Sequence, residues 1–356
     1  MRLLVVIPTW NRANYLDKAI SAISAARTRA RNCHVDLFIS DNCSSDQTSA
    51  VVARWQETGS WVRYRRWEEH TTCWTEILKR ALQGADLAYD YLWLQGDDDW
   101  VTDSTAYVQL AEAIQASAGD PPALVHCCQT RRSLPGDHRI LAGNTEELCN
   151  TYGWHDLLGW ISSLVISKDT VARMMVSPQW EVQAPSAFIQ SEVLLEAAYG
   201  RTMLILTAGL IDPQDECQTP ETLERWAKGN AGEKYWRIIP GLLNLKKRGV
   251  LRAPLTLGFF RYLTYSFWDR FAIEVMSLAS ISGTPDEVLE DKLRLLGFFG
   301  VLLGYGEDRK LYENWVEGFR EDVWEVRRAV RRIHKRIENS QRPSYSFSLL
   351  PLPPAP

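Results

Sequence analysis

The chain has 356 residues, of which 46% are hydrophobic and 24% are charged. This length and balance are typical of a folded protein with about two structural units, and they exclude a disordered or fibrous chain. The 40 basic and 44 acidic side chains give a net charge of −4, so there is no overall positive field to attract nucleic acid. We therefore expect no nucleic-acid partner.

The cysteines and the N-terminus indicate a location. Seven cysteines at irregular spacing do not form the pattern of a disulfide framework, which indicates a reducing compartment. The apolar run Leu3–Ile7 is too short for a signal peptide. No apolar run in the sequence approaches the ~20 residues that cross a bilayer. We predict a cytoplasmic protein.

Residues 1–212 alternate between strand and helix patterns. Strands are predicted at residues 3–7, 35–40, 61–64, 89–94, 123–128 and 202–206. Helices are predicted at residues 15–23, 44–55, 72–82 and 186–199, and the apolar segment 159–167 extends the sheet. Ser44 and Gln47 have the spacing of a capping box. This alternation predicts an α/β fold with parallel crossovers, in which ligands bind at the carboxyl ends of the strands.

The sequence changes character near residue 212. Residues 213–340 have mainly helical periodicity, which predicts a C-terminal helical domain, and the Pro-rich residues 341–356 predict a disordered tail. A basic run and the aromatic residues before it, from Phe259 to Trp268, fit either a membrane-facing surface or a helical bundle with a solvated basic face. The basic run consists of Arg327, Arg328, Arg331, Arg332, Lys335 and Arg336.

Three consecutive carboxylates, Asp97, Asp98 and Asp99, directly follow the predicted strand 89–94. Such a run carries strong repulsion unless a cation or solvent compensates it. Hard oxygen ligands favour Mg²⁺ or Mn²⁺, and these ions commonly join protein carboxylates to substrate phosphates. The alternative is a solvated acidic turn that caps the next helix.

Three segments in order carry a resemblance to a known family. They are Val5–Arg12 (VVIPTWNR), Ile39–Asp46 (ISDNCSSD) and Trp93–Trp100 (WLQGDDDW). Together they resemble the family-2 glycosyltransferases of GT-A fold, and the Gly before the Asp run is most similar to the abequosyltransferase-like branch. The resemblance implies a GT-A catalytic domain over residues 1–212, with an open, mostly parallel sheet and flanking helices.

The same resemblance implies a donor site for a nucleoside-diphosphate sugar of the UDP, GDP, CDP or dTDP type. Asp97 takes the principal metal position with Asp98 and Asp99 beside it, and Asp41 contacts the base. Gln95 stands where the family usually has its first Asp, which is a departure from the pattern. The remaining residues that the resemblance places at the donor are Pro8, Thr9, Asn11 and Arg12.

Sugar transfer also requires a base that takes the proton of the acceptor hydroxyl. We predict Glu192, where the family places an acidic pair before a helix, although an acid there also complements a helix dipole. Asp156 is the alternative base. Trp154 and His155 are candidates for an acceptor pocket, although a surface loop explains them equally well.

Arg225 belongs to a Glu-Arg-Trp segment that is similar to the Arg-Trp of processive polysaccharide synthases. Thr222 replaces the expected Gln and membrane spans are missing, so we predict single-sugar transfer with Arg225 near the diphosphate. The overall prediction is a metal-dependent, inverting glycosyltransferase acting on a glycan, especially a lipid-linked one. The alternatives are glycosylation of a protein or secondary metabolite, and a nucleotide-sugar-binding protein without turnover.

Overall fold

A computed structural model of the chain describes residues 1–85, 88–102, 104–117, 119–130, 140–181, 188–214, 238–253, 255 and 259. The strands in these residues are β1 (Arg2–Thr9), β2 (His34–Asp41), β3 (Val62–Arg66), β4 (Tyr91–Leu94), β5 (Asp99–Val101), β6 (Leu124–Gln129), β7 (Ile140–Asn144), β8 (Leu164–Ser167) and β9 (Thr202–Pro213). The helices are α1 (Ala13–Arg27), α2 (Thr48–Gln56), α3 (Trp74–Gly84), α4 (Ala106–Ala116), α5 (Thr145–Tyr152), α6 (Trp154–Leu158), α7 (Lys168–Met175), α8 (Ile189–Ala198) and α9 (Ile238–Lys247).

The strands form one sheet in the order β3-β2-β1-β4-β8-β6-β9-β5, and β7 pairs with β9 outside this path. The first four strands in that order are parallel, as the alternation predicts. β8 runs antiparallel to both β4 and β6, and β5 runs antiparallel to the end of β9. The α/β fold is confirmed, whereas the expected parallel crossovers are confined to its first half and to the pair β6 and β9.

The core consists of two apolar layers, one on each face of the sheet. Alternate residues of β1 divide between them, with Leu4 and Val6 on one face and Leu3, Val5 and Ile7 on the other. This division follows from the two-residue repeat of a strand. The first layer is covered by α3 and α5–α9, and the second by α1, α2 and α4. Helices on both faces bury the sheet and leave its strand ends to form a site.

One local prediction is wrong. Ser44 does not cap α2, because that helix begins at Thr48 and the Ser44 hydroxyl donates to Asp41 instead. The N-cap residue is Gln47, which makes no side-chain capping bond, whereas Asp46 Oδ1 accepts from the Thr48 backbone N–H at 3.0 Å. Asp41, at the end of β2, binds the Ser44 hydroxyl in place of the helix N-terminus. The spacing of Ser44 and Gln47 gives no information about this partner.

Several predictions lie outside the described residues. These are Arg225, most of the helical domain 213–340, the basic run Arg327–Arg336 and the tail 341–356. Of the predicted C-terminal domain, α9 and a short stretch after it are described, and their apolar side chains join the layer beneath α8. Within the described part of the chain, none of the helices combines the length and the apolar character that a membrane span requires.

Candidate active site

The carboxyl ends of β1, β2 and β4 lie side by side and bring the three predicted segments to one edge of the sheet. The backbone N–H of Asn42 donates to the carbonyl of Thr9 at 2.9 Å, and that of Gln95 donates to Val6 at 3.0 Å. These bonds continue the ladder past the strand ends. The loops after the three strands are therefore held in contact, as the rule for open α/β sheets predicts.

Asp97, Asp98 and Arg12 form the charged centre of this edge. Asp97 is 4% exposed, and its Oδ1 lies 2.9 Å from Arg12 Nη1. Asp98 is half-buried, and its Oδ2 lies 2.8 Å from Arg12 Nη2. The Thr9 hydroxyl donates to the other oxygen of Asp97 at 2.7 Å. The two carboxylates thus converge on one guanidinium, and Thr9 fixes the orientation of the buried one.

Asp99 turns away from this centre. Its carboxylate accepts a hydrogen bond from the buried Ser162 hydroxyl, which itself accepts from the Gly96 N–H at 2.8 Å. A Cβ on Gly96 would lie 2.7 Å from Asp99 and 2.9 Å from Asp98, so no larger residue fits without moving the carboxylates. Gln95 is fully buried and donates from Nε2 to the Asp99 carbonyl. Ser162 therefore determines which way the acidic run faces.

Burial dominates the electrostatics of the acidic run. Desolvation raises the pKa of Asp97 to about 7, while the neighbouring Arg12 acts in the opposite direction. Desolvation and the charge of Asp98 raise the pKa of Asp99 to about 7, opposed by the Ser162 hydrogen bond. Both carboxyls therefore bind protons more tightly than free Asp and gain from a nearby cation.

Asp41 is fully buried at the end of β2. Its Oδ1 accepts from the Ser44 N–H at 2.9 Å and from the Ser44 hydroxyl, and its Oδ2 accepts from the Tyr64 hydroxyl at 2.6 Å. Burial, followed by the hydrogen bond to Asp41, raises the pKa of Tyr64. The described contacts give Asp41 a role in bracing the loop, and its contact with a nucleobase stays a prediction.

Asn11 and Pro8 also have structural contacts. Asn11 adopts a positive φ of 53°, and its side-chain oxygen accepts from the Ser45 N–H at 2.7 Å. The Asn11 N–H donates to Ser44 Oγ at 2.8 Å. Pro8 is half-buried in β1 beside Ser40. Asn11 therefore joins the loop after β1 to the loop after β2, and a direct donor contact by either residue stays a prediction.

The predicted acceptor residues lie in α6 with different exposure. Trp154 is fully buried in the core and packs edge-on against Phe188 with ring centroids 5.3 Å apart. This burial favours a packing role for Trp154, and its place in an acceptor pocket stays a prediction. His155 and Asp156 are half-buried in the same helix. The loop after α6 supplies Ser162 to the acidic run.

Glu192 lies in the first turn of α8 and is 1% exposed. Its carboxylate accepts from Gln179 Nε2 at 2.6 Å and is covered by α9, where a Cβ on Gly241 would overlap it. Gln190 lies on the other side of α8, where it accepts from Trp74 Nε1 at 3.1 Å. Glu192 therefore faces α9, whereas Gln190 contacts Trp74 and, through Nε2, the carbonyl of Gly159.

A divalent cation fits two of the three predicted ligands. Asp97 and Asp98 offer oxygens that already share one cationic partner, and such hard donors suit Mg²⁺ or Mn²⁺. Asp99 faces Ser162, and the described residues include no group of three His, Cys, Asp or Glu side chains arranged to hold a metal. The geometry therefore favours Asp97 and Asp98 as ligands, and a metal contact by Asp99 stays a prediction.

Ser162 is the residue that the sequence analysis missed. It lies in an apolar segment with no motif around it, and its importance comes from an approach to the acidic run across the sheet. The Trp93 indole also donates to the Ser162 carbonyl at 2.8 Å. The stacked pair of Trp10 and His70, with ring centroids 4.3 Å apart, likewise joins two loops distant in sequence.

Comparisons with known proteins agree with this arrangement. Residues 4–157 match the family model for glycosyl transferase family 2. No curated protein matches the chain in sequence. Among solved structures, S. aureus TarS 1–349 has a TM-score of 0.58 at 15% identity, covering 96% of this chain and 93% of TarS. The structure of TarS 1–349 in complex with UDP-GlcNAc has a TM-score of 0.58 at 14% identity, covering 93% of this chain and 91% of TarS. Residues 4–157 are therefore similar to glycosyl transferase family 2, and the chain has a GT-A-like fold.

Proposed function

We propose that the chain transfers a single sugar from a nucleoside-diphosphate donor to an acceptor hydroxyl with the help of Mg²⁺ or Mn²⁺. The observation that carries this proposal is the convergence of the buried Asp97 and the half-buried Asp98 on one cationic group. This charged centre lies at the carboxyl end of β4, where open α/β sheets bind ligands. TarS, which shares the fold, has been solved with UDP-GlcNAc, and this supports a nucleotide-sugar donor.

The residues of the chain have distinct roles in this proposal. Asp97 and Asp98 hold the cation, and Thr9 keeps the Asp97 carboxylate oriented. The bound cation neutralises the charge that develops on the leaving diphosphate. Arg12 supplies a positive charge at the same edge of the sheet. Gln95, Asn11 and Asp41 keep the three loops in register, so the donor meets a preformed surface.

Donor hydrolysis tests this proposal directly. The purified full chain is incubated with Mn²⁺ and a panel of UDP-, GDP-, CDP- and dTDP-sugars, and the released nucleotide is measured. We expect Asp97→Asn to lose about 100-fold or more of the activity, because the cation loses its buried ligand. Asp90→Asn is the matched control, since Asp90 lies before β4 at the opposite end of the strand and accepts from the Arg2 N–H. Equal activity in both variants would refute the role of Asp97.

We further propose an inverting reaction in which a carboxylate takes the acceptor proton, with Asp156 and Glu192 as the two candidates. The partial exposure of Asp156 supports it, because a base must reach the acceptor hydroxyl. The burial of Glu192 beneath α9 supports a packing role instead.

Two isosteric variants separate the candidate bases. If Asp156 is the base, Asp156→Asn lowers the transfer rate by about 100-fold or more, with donor binding unchanged. Glu192→Gln then keeps most of the activity and changes the melting temperature. The opposite result assigns the base to Glu192. The anomeric configuration of the first-formed product, measured by NMR, tests inversion independently.

For the acceptor, we propose a lipid-linked glycan of surface-polysaccharide assembly. The basic run Arg327–Arg336 in the sequence supports this choice, because cationic segments attract anionic membrane surfaces. Incubation with a labelled donor and either a polyprenyl-diphosphate glycan or a peptide distinguishes a lipid acceptor from a protein acceptor. Labelling of the peptide alone would overturn this part of the proposal. The narrower abequosyltransferase-like assignment stays a prediction.

A further inference from the structure

Arg12 occupies the oxygens that a divalent cation needs. Its Nη1 pairs with Asp97 Oδ1 at 2.9 Å and its Nη2 pairs with Asp98 Oδ2 at 2.8 Å. The second oxygen of Asp97 is already engaged by the Thr9 hydroxyl at 2.7 Å. A cation that binds both carboxylates would lie close to the guanidinium of Arg12, and the like charges of the two groups repel at that distance.

The position of Arg12 allows it to leave. It stands at the N-cap of α1, where backbone contacts are independent of its side chain, and the side chain is 31% exposed. The guanidinium also lies over the Tyr15 ring, 4.8 Å from the centroid. Asp97, in contrast, is buried and bonded from two sides. The partly exposed Arg12 side chain is therefore better placed to move than the buried Asp97 carboxylate.

Arg12 loses its ion pairs with Asp97 and Asp98 when it is displaced, so a new anionic partner would compensate its charge. The diphosphate of a donor supplies that charge at the same edge of the sheet, and a guanidinium matches phosphate oxygens in geometry. We propose that Arg12 competes with the divalent cation for Asp97 and Asp98, and that donor diphosphate draws Arg12 away, so that cation and nucleotide bind cooperatively. This inference rests on the proposed function and adds to it a specific role for one side chain.

The test measures Mn²⁺ binding rather than activity. Electron paramagnetic resonance gives the concentration of free Mn²⁺ in titrations of the full chain, with and without UDP. In the natural sequence we expect weak Mn²⁺ binding alone and a gain of about tenfold or more with UDP. In Arg12→Gln we expect tighter binding alone, by about tenfold, and a smaller gain with UDP. The variant comparison removes the contribution of Mn²⁺–UDP pairs formed in solution.

Two further variants keep the result interpretable. Arg54→Gln is the matched control, because Arg54 makes a single ion pair with Asp17 on the surface, and its Mn²⁺ binding is expected to equal that of the natural sequence. Arg12→Lys keeps the charge without the two-pronged contact and is expected to fall between the other two proteins. Thermal unfolding confirms that each variant is folded.

The outcomes are distinct. Equal Mn²⁺ affinity and equal UDP coupling in the natural sequence, Arg12→Gln and Arg12→Lys would overturn the role of Arg12 while leaving the metal-dependent function intact. Absence of Mn²⁺ binding in every protein, with or without UDP, would overturn both proposals. Tighter binding by Arg12→Gln together with reduced coupling supports the competition.

Discussion

At the scale of single residues, the acidic run takes its orientation from neighbours outside the motif. The Ser162 hydroxyl accepts a hydrogen bond from the Gly96 N–H and donates one to the Asp99 carboxylate. Asp97 and Asp98 face Arg12 instead. A buried hydroxyl that serves two partners stabilises one arrangement of a loop because each alternative leaves a buried polar group unpaired. The sequence predicts the cluster of charges, whereas the direction of each carboxylate depends on a contact between distant segments.

The role of Ser162 is tested by Ser162→Ala. We expect a drop of about tenfold in Mn²⁺ affinity measured with UDP present, because the loop that carries Asp97 and Asp98 loses its hydrogen bonds to Ser162. The unfolding free energy is expected to fall by about 1–2 kcal/mol. Ser163→Ala is the matched control, because Ser163 is equally buried but its hydroxyl donates only locally, to Trp160 at 2.7 Å. An unchanged Mn²⁺ affinity in Ser162→Ala contradicts this role.

His126 provides a pH-dependent prediction at the same scale. Burial lowers the pKa of this histidine to about 4, although its hydrogen bond to the Leu157 carbonyl opposes the shift. The folded-state pKa lies below the ordinary value of 6.5, so the unfolded chain binds the extra proton between these values. The contribution to stability is complete above pH 6.5 and falls by about 3 kcal/mol as the pH drops to 4.

Denaturant unfolding from pH 7 to pH 4 measures this effect as a difference between two proteins. His126→Gln removes the titration while keeping a donor for Leu157, so its stability is expected to change less with pH than that of the natural sequence. His34→Gln, at an exposed position at the start of β2, is the matched surface control. Parallel curves for His126→Gln and the natural sequence would contradict the assigned pKa.

At the scale of elements, the predicted strands and helices before residue 130 agree closely with the structure, because each carries its own apolar repeat. The short strand β5 and the strand β7 were not predicted. β5 consists of three residues that include Asp99, and it exists because the end of β9 lies beside it. Likewise, the helix that became α8 was predicted, but not the direction of Glu192, because α9 covers that residue from far along the chain.

The contact between α8 and α9 predicts whether a Gly241→Ala substitution stabilises or destabilises the protein. Replacing Gly by Ala inside a helix normally stabilises it by about 1 kcal/mol. In Gly241→Ala the new Cβ would overlap the Glu192 carboxylate, so we expect the unfolding free energy to decrease, by about 1–3 kcal/mol. Thermal or urea unfolding measures the change.

A double variant separates overlap from other causes. If the loss comes from crowding between these two residues, Gly241→Ala costs less in a chain that already carries Glu192→Ala. The two changes are then coupled by more than about 0.5 kcal/mol, beyond the error of additivity. Simple additivity of the two changes would show that the overlap is relieved in another way.

At the scale of the whole molecule, the sheet joins the segment that contains the three motifs to strands that come later in the chain. The family model ends at residue 157, yet β4 and β6 each pair with β8, and β6 also pairs with β9. The GT-A fold was predicted from three motifs, because these lie on the contiguous parallel strands. The mixed parallel and antiparallel pairing of β5 to β9 was not predicted, because these segments have no equally clear sequence repeat.

Truncation tests this interdependence. A chain ending at residue 157 leaves β4 and β6 with unpaired edges, so we expect aggregation or the absence of a cooperative unfolding transition. A chain ending at residue 253 retains β8, β9, α8 and α9 and is expected to unfold cooperatively. Circular dichroism during heating compares the two. A cooperative transition in the shorter chain would show that the later strands are dispensable.

The antiparallel pairing of β5 with the end of β9 has a consequence for synthesis on the ribosome. The backbone N–H of Gln214 donates to the Asp98 carbonyl at 3.2 Å, and Asp99 lies opposite Pro213 in the ladder. The acidic run is translated early, but this brace is available only after the nascent polypeptide has passed residue 214. We therefore expect a translation product that ends before residue 214 to lack the final arrangement of the acidic run.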